Sequence, residues 1–311
     1  MTKIAIATPI GYESGGPEAL YQLCHTLRKF GQDAYLVPWE GQENNKPVEI
    51  YDLYDAPIDV SLASDTLLVI PEVVPELILK NKKSLIWWLS VDNSPLTNFS
   101  QRPDSSALNS ETILHSQKFW EKFDSSDVTN FCQSFYAKNY LKKTFNKECN
   151  MLTDYINREN LAPNSDSKKE LITFSYKGSQ HFDTFKAMLS EFNCVRISDM
   201  SRVQTMRALA SSQIFIDLGH QPGRDRMPRE AALQNALVML NSAGAGANYQ
   251  DAPLSTDFKF KVEDADKAVE KIKNTLRQPS VSNDSQQFYR EWVESQQEVF
   301  EFEVWKLIRL L

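Results

Sequence analysis

Apolar positions along the chain fall into two patterns: short unbroken runs, and longer stretches with helical spacing. The runs Lys3–Thr8, Ala34–Val37, Thr66–Pro71 and Ser84–Leu89 read as strands buried on both faces. Between the first two, Gly11, Gly15 and Gly16 form a loop. Pro17 then opens a helix in which Leu20, Leu23, Cys24, Leu27 and Phe30 recur, and Gly31 closes it. Strand, glycine loop, helix, strand is a βαβ unit. A strand over Val128–Phe131 and a helix over 136–145 follow. Residues 97–110, rich in Ser, Asn, Asp and Pro, read as a loop. The polar, turn-rich stretch 157–170 interrupts the pattern, which then restarts. Strands are expected at 171–174, 195–197, 214–217 and 236–240, with helices at 182–192, 201–211 and 228–235. The tail, 288–311, is an amphipathic helix carrying Trp292, Val299, Phe302 and Trp305. This predicts two tandem α/β units with parallel sheets: a Rossmann-like domain over 1–156, a linker at 157–170, a second Rossmann-like domain over 171–282, and a helical end at 283–311.

Composition narrows the function classes. The chain has 311 residues, 41% hydrophobic and 24% charged, which suits a globular protein and excludes collagen-like, coiled-coil and wholly disordered classes. Lys+Arg number 34 against 41 Asp+Glu, a formal charge of −7, which argues against a dedicated nucleic-acid binder. No apolar run reaches the ~20 residues of a membrane span. No charged-then-apolar leader precedes Ile4, so a secretory signal is not expected. Cys24, Cys132, Cys149 and Cys194 have neither zinc-site nor disulfide-framework spacing, and free buried thiols in a reducing cytoplasm are the expectation.

The densest chemistry is the stretch from Gly219 to Ala232, which leaves a strand and enters a helix. In open α/β sheets ligands bind beyond the carboxyl ends of strands. With Pro228 marking the helix start, free N–H groups would face the loop and favour an anion. Arg224, Arg226 and Arg229 add charge suited to phosphate. His220 and Gly223 lie in the same loop, and Glu230 is within reach of a sugar hydroxyl. A charged surface loop before an ordinary helix is the plainer alternative. The run Ser242–Ala247, with Gly244 and Gly246, would let backbone approach a phosphate closely, or is simply a flexible loop. Gly15 and Gly16 would let backbone approach a phosphate or another substrate, or make a turn before the helix. Asp92 follows Trp87 and Trp88. It could serve as general base while Trp88 stacks on a sugar ring; alternatively the tryptophans are core and Asp92 caps a turn. Glu13 is a second candidate base. No His/Cys/carboxylate set has metal spacing, so no catalytic metal is expected. Asp264-Ala265-Asp266 reads as a helix start. Nucleophile-elbow and Walker motifs are absent.

The string Ile216–Ala232 resembles the C-terminal half of GT-B glycosyltransferases, especially the large retaining group that includes sucrose and mannosyl transferases. It is similar in particular to a bacterial subgroup associated with surface-polysaccharide loci. Trp87–Asn93 and the segments Asp251–Pro253 and Phe258–Phe260 resemble the same subgroup. The resemblance implies a GT-B fold: two Rossmann-like domains facing each other across a cleft, with a C-terminal helix crossing back to the first. It implies that Glu230 binds the donor ribose and that Lys177, next to Gly178, sits against the donor diphosphate; a solvated lysine before a turn glycine is the alternative. The group often has a second glutamate eight positions earlier, where this chain has Pro222.

The resulting expectation is a cytoplasmic, metal-independent glycosyltransferase with no cofactor. It would move a sugar from a nucleotide-sugar donor to a saccharide or lipid-linked acceptor, in contact with the inner face of a membrane but without spanning it. Two alternatives stay open: a nucleotide-sugar epimerase, and a non-catalytic nucleotide-sugar-binding subunit, which the missing glutamate keeps open. Donor base, sugar, acceptor, stereochemistry and oligomeric state are not legible.

Overall fold

The computed structural model describes residues 3–39, 41–63, 65–98, 113–162 and 171–310. Most of the expected 97–110 loop and the 163–170 part of the expected linker lie outside them. The chain divides into two compact units, Met1–Asp154 with Glu298–Leu311, and Tyr155–Gln297.

The first unit runs β1 (Ile4–Thr8), α1 (Gly15–Lys29), β2 (Ala34–Pro38), β3 (Leu67–Pro71), β4 (Ser84–Trp88), α2 (Gln117–Asp124), β5 (Val128–Cys132), α3 (Phe135–Phe145) and β6 (Asn150–Met151). Its strands form one parallel sheet in the order β2-β1-β3-β4-β5-β6. Every residue of β1, β3 and β4 is buried, as the unbroken apolar runs require. Trp87 and Trp88 are both fully buried. Their indole N–H groups donate to the Leu152 carbonyl at 2.7 Å and to Asn130 Oδ1 at 2.9 Å, so neither is left unsatisfied.

Three sequence expectations need correction here. The helix α1 starts at Gly15 behind an extended Ser14, so Gly15 and Gly16 lie inside its first turn rather than in a loop, and Pro17 is its third residue. Ser14 is held there by Tyr51, whose hydroxyl accepts from its N–H and donates to its carbonyl, each at 3.0 Å. Cys132 and Cys149 are joined as a disulfide, leaving Cys24 and Cys194 free. Strand pairing brings the ends of β5 and β6 together, which spacing alone does not reveal, and the cysteine argument for a reducing compartment no longer holds.

The second unit runs β7 (Leu171–Phe174), α4 (Ser179–Met188), β8 (Asn193–Arg196), α5 (Arg202–Ser211), β9 (Ile214–Asp217), α6 (Arg226–Leu233), β10 (Leu237–Asn241), β11 (Lys259–Phe260), α7 (Ala265–Arg277) and α8 (Pro279–Ser285). Its parallel sheet has the order β11-β10-β9-β7-β8. The core between sheet and helices is built from Phe174, Phe185, Phe215, Val238 and Ile272, all nearly inaccessible. The last helix, α9 (Gln287–Leu310), contributes its start to this unit and its end to the first. In the first unit Phe300 stacks on Trp87, Glu301 pairs with Lys29 of α1 at 2.8 Å, and Glu303 Oε2 accepts from the N–H and hydroxyl of Thr153 at 2.6 and 2.7 Å. The expected return of the terminal helix to the first domain is therefore present. Among the described residues no helix is long and apolar enough to cross a membrane.

Candidate functional site

Parallel strands end on one edge, and the order of the second sheet sets the loops after β10, β9 and β7 side by side at that edge. The backbone fits them together tightly. Gly178, at φ +67°, lies against the backbone of Leu218, where a Cβ would come within 2.6 Å of the carbonyl carbon. Gly244, at φ +61°, faces Gln221, whose carbonyl oxygen would be 2.0 Å from a Cβ; the Ala245 N–H donates to that same oxygen at 2.8 Å. Gly246 is likewise hemmed in by Gln221 and Asn241. Gly244 and Gly246, expected to let backbone approach a phosphate, are, with Gly178, required by the packing of the three loops on one another. Asn241 completes the clip: its amide donates to the carbonyls of Leu218 and Gly219, and its oxygen accepts from Val262 N–H at 3.2 Å.

On this scaffold the charged side chains sort into two groups. Arg229 and Arg224 turn inward. Arg229 is 2% exposed and donates to the carbonyls of Asp225 and Arg224 at 3.1 and 2.7 Å, stapling the loop to its own helix. Arg224 lies over the Trp292 ring at 4.6 Å and donates to Gln296 Oε1 at 3.0 Å, with Asp251 at 3.7 Å. In this arrangement both arginines, expected to face a phosphate, are engaged by groups of the protein itself. Helix α6 begins at Arg226, two residues ahead of the expected Pro228 start, with Asp225 as its N-cap position.

The second group lies at the sheet edge. Lys177 Nζ meets Asp225 Oδ2 at 2.5 Å, with both side chains partly exposed. Burial works against the ammonium charge, but Asp225 outweighs it and holds Lys177 above its ordinary value. Asp217, ending β9, accepts from Gly219 N–H at 2.9 Å; burial, with Asp225 nearby, pushes its carboxyl up to about 6. His220 is exposed and electrostatically close to Asp225. Gly223 is buried within the loop. Glu230 is 1% exposed and accepts from Arg202 Nη2 at 2.7 Å, with Arg226 Nε at 3.5 Å. Burial opposes its charge, yet Arg202 first and then Arg226 and Arg229 hold its carboxyl below the usual range. Glu230, expected to contact a sugar, anchors two cations at the edge. Arg202, on α5, carries no local signal in the sequence; only the packing of α5 beside α6 makes it a member of the site.

In the first unit Asp92 sits in a short 3₁₀ turn, Val91–Asn93, just after β4. It is half-buried, and the Tyr136 hydroxyl donates to its Oδ1 at 3.1 Å. Glu13 is exposed ahead of α1. The stacking surface expected of Trp88 does not exist: the ring is 0% exposed and packs in the core beside Phe145. A Cβ at Gly16 would meet nothing within 4 Å, so no described neighbour demands glycine there.

No family model matches the chain, and no curated protein sequence does. Solved structures match it end to end. Sucrose-phosphate synthase from Thermosynechococcus elongatus superposes with a TM-score of 0.71 at 12% identity, over 100% of this chain and 99% of that one. A glycosyltransferase from Rickettsia africae gives 0.68 at 12% identity, over 99% and 97%. The chain has the GT-B fold. An alpha-glucosyltransferase solved with UDP and a 13-mer DNA matches this GT-B chain at a TM-score of 0.58 and 10% identity, over 97% and 98%. At such identities the shared property is the fold.

Proposed function

We propose that the chain is a glycosyltransferase in which the second unit holds a nucleotide-sugar donor and the first an acceptor hydroxyl. The observation that carries this reading is the set of cations, Lys177, Arg202 and Arg226, at the carboxyl edge of the second sheet of a GT-B fold. That edge is where open α/β sheets bind ligands. A nucleoside diphosphate leaves with growing negative charge, and fixed cations there favour the transition state over the ground state. Lys177 and Arg226 would supply that stabilisation directly, and Glu230 would keep Arg202 and Arg226 in place. Asp92, steadied by Tyr136, would take the proton from the acceptor hydroxyl in an inverting reaction. UDP, the nucleotide of the alpha-glucosyltransferase complex, is the first base to test. A saccharide or lipid-linked saccharide of a bacterial surface polymer is the proposed acceptor. No cofactor or catalytic metal is part of the proposal.

The test is release of nucleoside diphosphate from UDP- and other nucleotide-sugars, with and without saccharide acceptors, and with EDTA. Acceptor-dependent release that survives chelation is expected. Conversion of the sugar with donor alone would indicate an epimerase instead. Two observations support a second, non-catalytic reading: the family-like Glu230 is engaged in an internal ion pair, and Pro222 stands where a glutamate is usual. Donor binding without turnover on any acceptor would select it.

A further inference from the structure

The order β1-β3-β4 places the end of β3 between the strand ends that lead to Glu13 and to Asp92. At that end stands Glu72, 2% exposed, to which nothing in the local sequence draws attention. Each carboxylate oxygen takes one backbone N–H: Oε2 from Leu89 at 2.9 Å and Oε1 from Ser90 at 2.7 Å. The main chain of the same residue closes the other side. Its carbonyl accepts from Ser94 Oγ at 2.9 Å, and its N–H donates to the Trp87 carbonyl at 3.2 Å. Between these points the turn is braced by Asn93 N–H to the Ser90 carbonyl at 2.8 Å and Ser94 N–H to the Val91 carbonyl at 3.1 Å. One residue thus grips both ends of the segment Leu89–Ser94, and Asp92 is in its middle.

A neutral side chain would close a turn at lower cost, because burying a carboxylate is expensive and no cation from the described residues is among the influences on it. Burial does push the Glu72 carboxyl up to about 7, and the influences favouring its charge are the N–H groups of Leu89, Glu72 itself and Ser90. A carboxylate offers what an amide cannot at this spot: two acceptor oxygens for two convergent N–H donors. In glutamine one of those positions becomes an NH₂ that opposes an N–H.

We propose that Glu72 is the positioning residue for Asp92, holding the Ser90–Ser94 turn so that the Asp92 carboxylate is presented to the acceptor hydroxyl. This rests on the reading of Asp92 as the base. The Tyr136 hydroxyl sets the carboxylate from α3, and Glu72 sets the backbone beneath it, so the orientation is determined from two elements at once.

The test compares Glu72→Gln and Asp92→Asn with the wild-type chain by kcat, donor KM and hydrogen exchange at the Leu89 and Ser90 amides. Misplacing a reacting group by about 1 Å can cost on the order of 10²-fold. In E72Q, kcat should fall about 10- to 100-fold, donor KM should stay within about twofold, and the two amides should exchange faster. A role in stability alone would leave kcat per folded molecule unchanged. Wild-type kcat in E72Q alongside a collapsed kcat in D92N overturns the proposal while leaving Asp92 as base. Full activity in both variants overturns the reading of Asp92, and the proposal with it. Unchanged exchange at Leu89 and Ser90 also overturns the proposal. If a melting curve shows E72Q to be unfolded, E72D, which keeps the charge but is one methylene short of the two N–H groups, provides the same comparison.

Discussion

Lys177 and Asp225 show at the scale of single residues how charge at the candidate donor edge is held in balance. The 2.5 Å contact occupies the ammonium that would face a diphosphate. Asp225→Asn should therefore tighten UDP binding and Lys177→Ala should weaken it, each by about tenfold or more, since hydrogen bonds to charged groups are worth roughly 1.5–3 kcal/mol. Titration calorimetry with UDP checks this, and unchanged affinity in both variants would remove Lys177 from the site. Glu72 leads to a pH prediction whose sign is opposite to that of an ion-paired carboxylate. Its value is about 7 in the folded chain against an ordinary 4.5. A carboxyl raised on folding contributes stability that is fully present below its unfolded value and is lost as pH rises through the folded one. Wild-type stability should thus decline between about pH 4.5 and 7, by roughly 3 kcal/mol at ~1.4 kcal/mol per pH unit. Glu72→Gln should lack that component of the slope in urea unfolding curves of the first unit. An identical slope in both proteins would mean that Glu72 ionises with ordinary ease.

Elements place these residues, and loops do so more than helices. The strand ends of the second unit are joined by close backbone contact, with Gly178 against Leu218 and Gly244 against Gln221. A side chain at Gly244 meets both a left-handed φ and a carbonyl oxygen at 2.0 Å. Gly244→Ala should lower stability by about 1–3 kcal/mol or more and should displace the β9 loop, reducing donor binding as well. Thermal unfolding with UDP titration reads both effects, and wild-type values for both would show that the loop adapts freely. Arg229 illustrates why composition misleads within an element. Arg224, Arg226 and Arg229 stand within six positions, yet the α-helical turn starting at Arg226 rotates Arg229 onto its own loop carbonyls and leaves Arg226 beside Glu230. The three carry the same charge in the sequence; only the start of the helix, two residues ahead of Pro228, separates a staple from a candidate site residue.

For the molecule as a whole, α9 is the element whose role depends most on tertiary structure. Its end is tied to the first unit through Glu303, which accepts from both the N–H and the hydroxyl of Thr153. Glu303→Gln should cost about 1–3 kcal/mol, because a neutral amide oxygen accepts these two donors more weakly than a carboxylate oxygen does, with faster hydrogen exchange over 298–310. The exposed Lys29–Glu301 pair should matter little by comparison, because surface ion pairs are worth roughly 0–1 kcal/mol. Equal exchange in wild type and E303Q would mean that Phe300 on Trp87 holds the helix unaided. The sequence alone determined the alternation of strands and helices, the two α/β units, the GT-B resemblance and the loop after β9 as the place of densest charge. The elements and the charged loop follow from local periodicity, glycine and proline punctuation and burial on both faces, all readable within a dozen residues, and the resemblance from short strings such as Ile216–Ala232. The tertiary structure decided which strand ends are neighbours, and so brought Arg202 from α5 to Glu230 and Glu72 from β3 to the turn of Asp92. It also buried Trp88, turned Arg224 toward Trp292 and joined Cys132 to Cys149. These outcomes depend on contacts between residues 17 to 72 positions apart, set by sheet order and helix packing, and no local pattern encodes them.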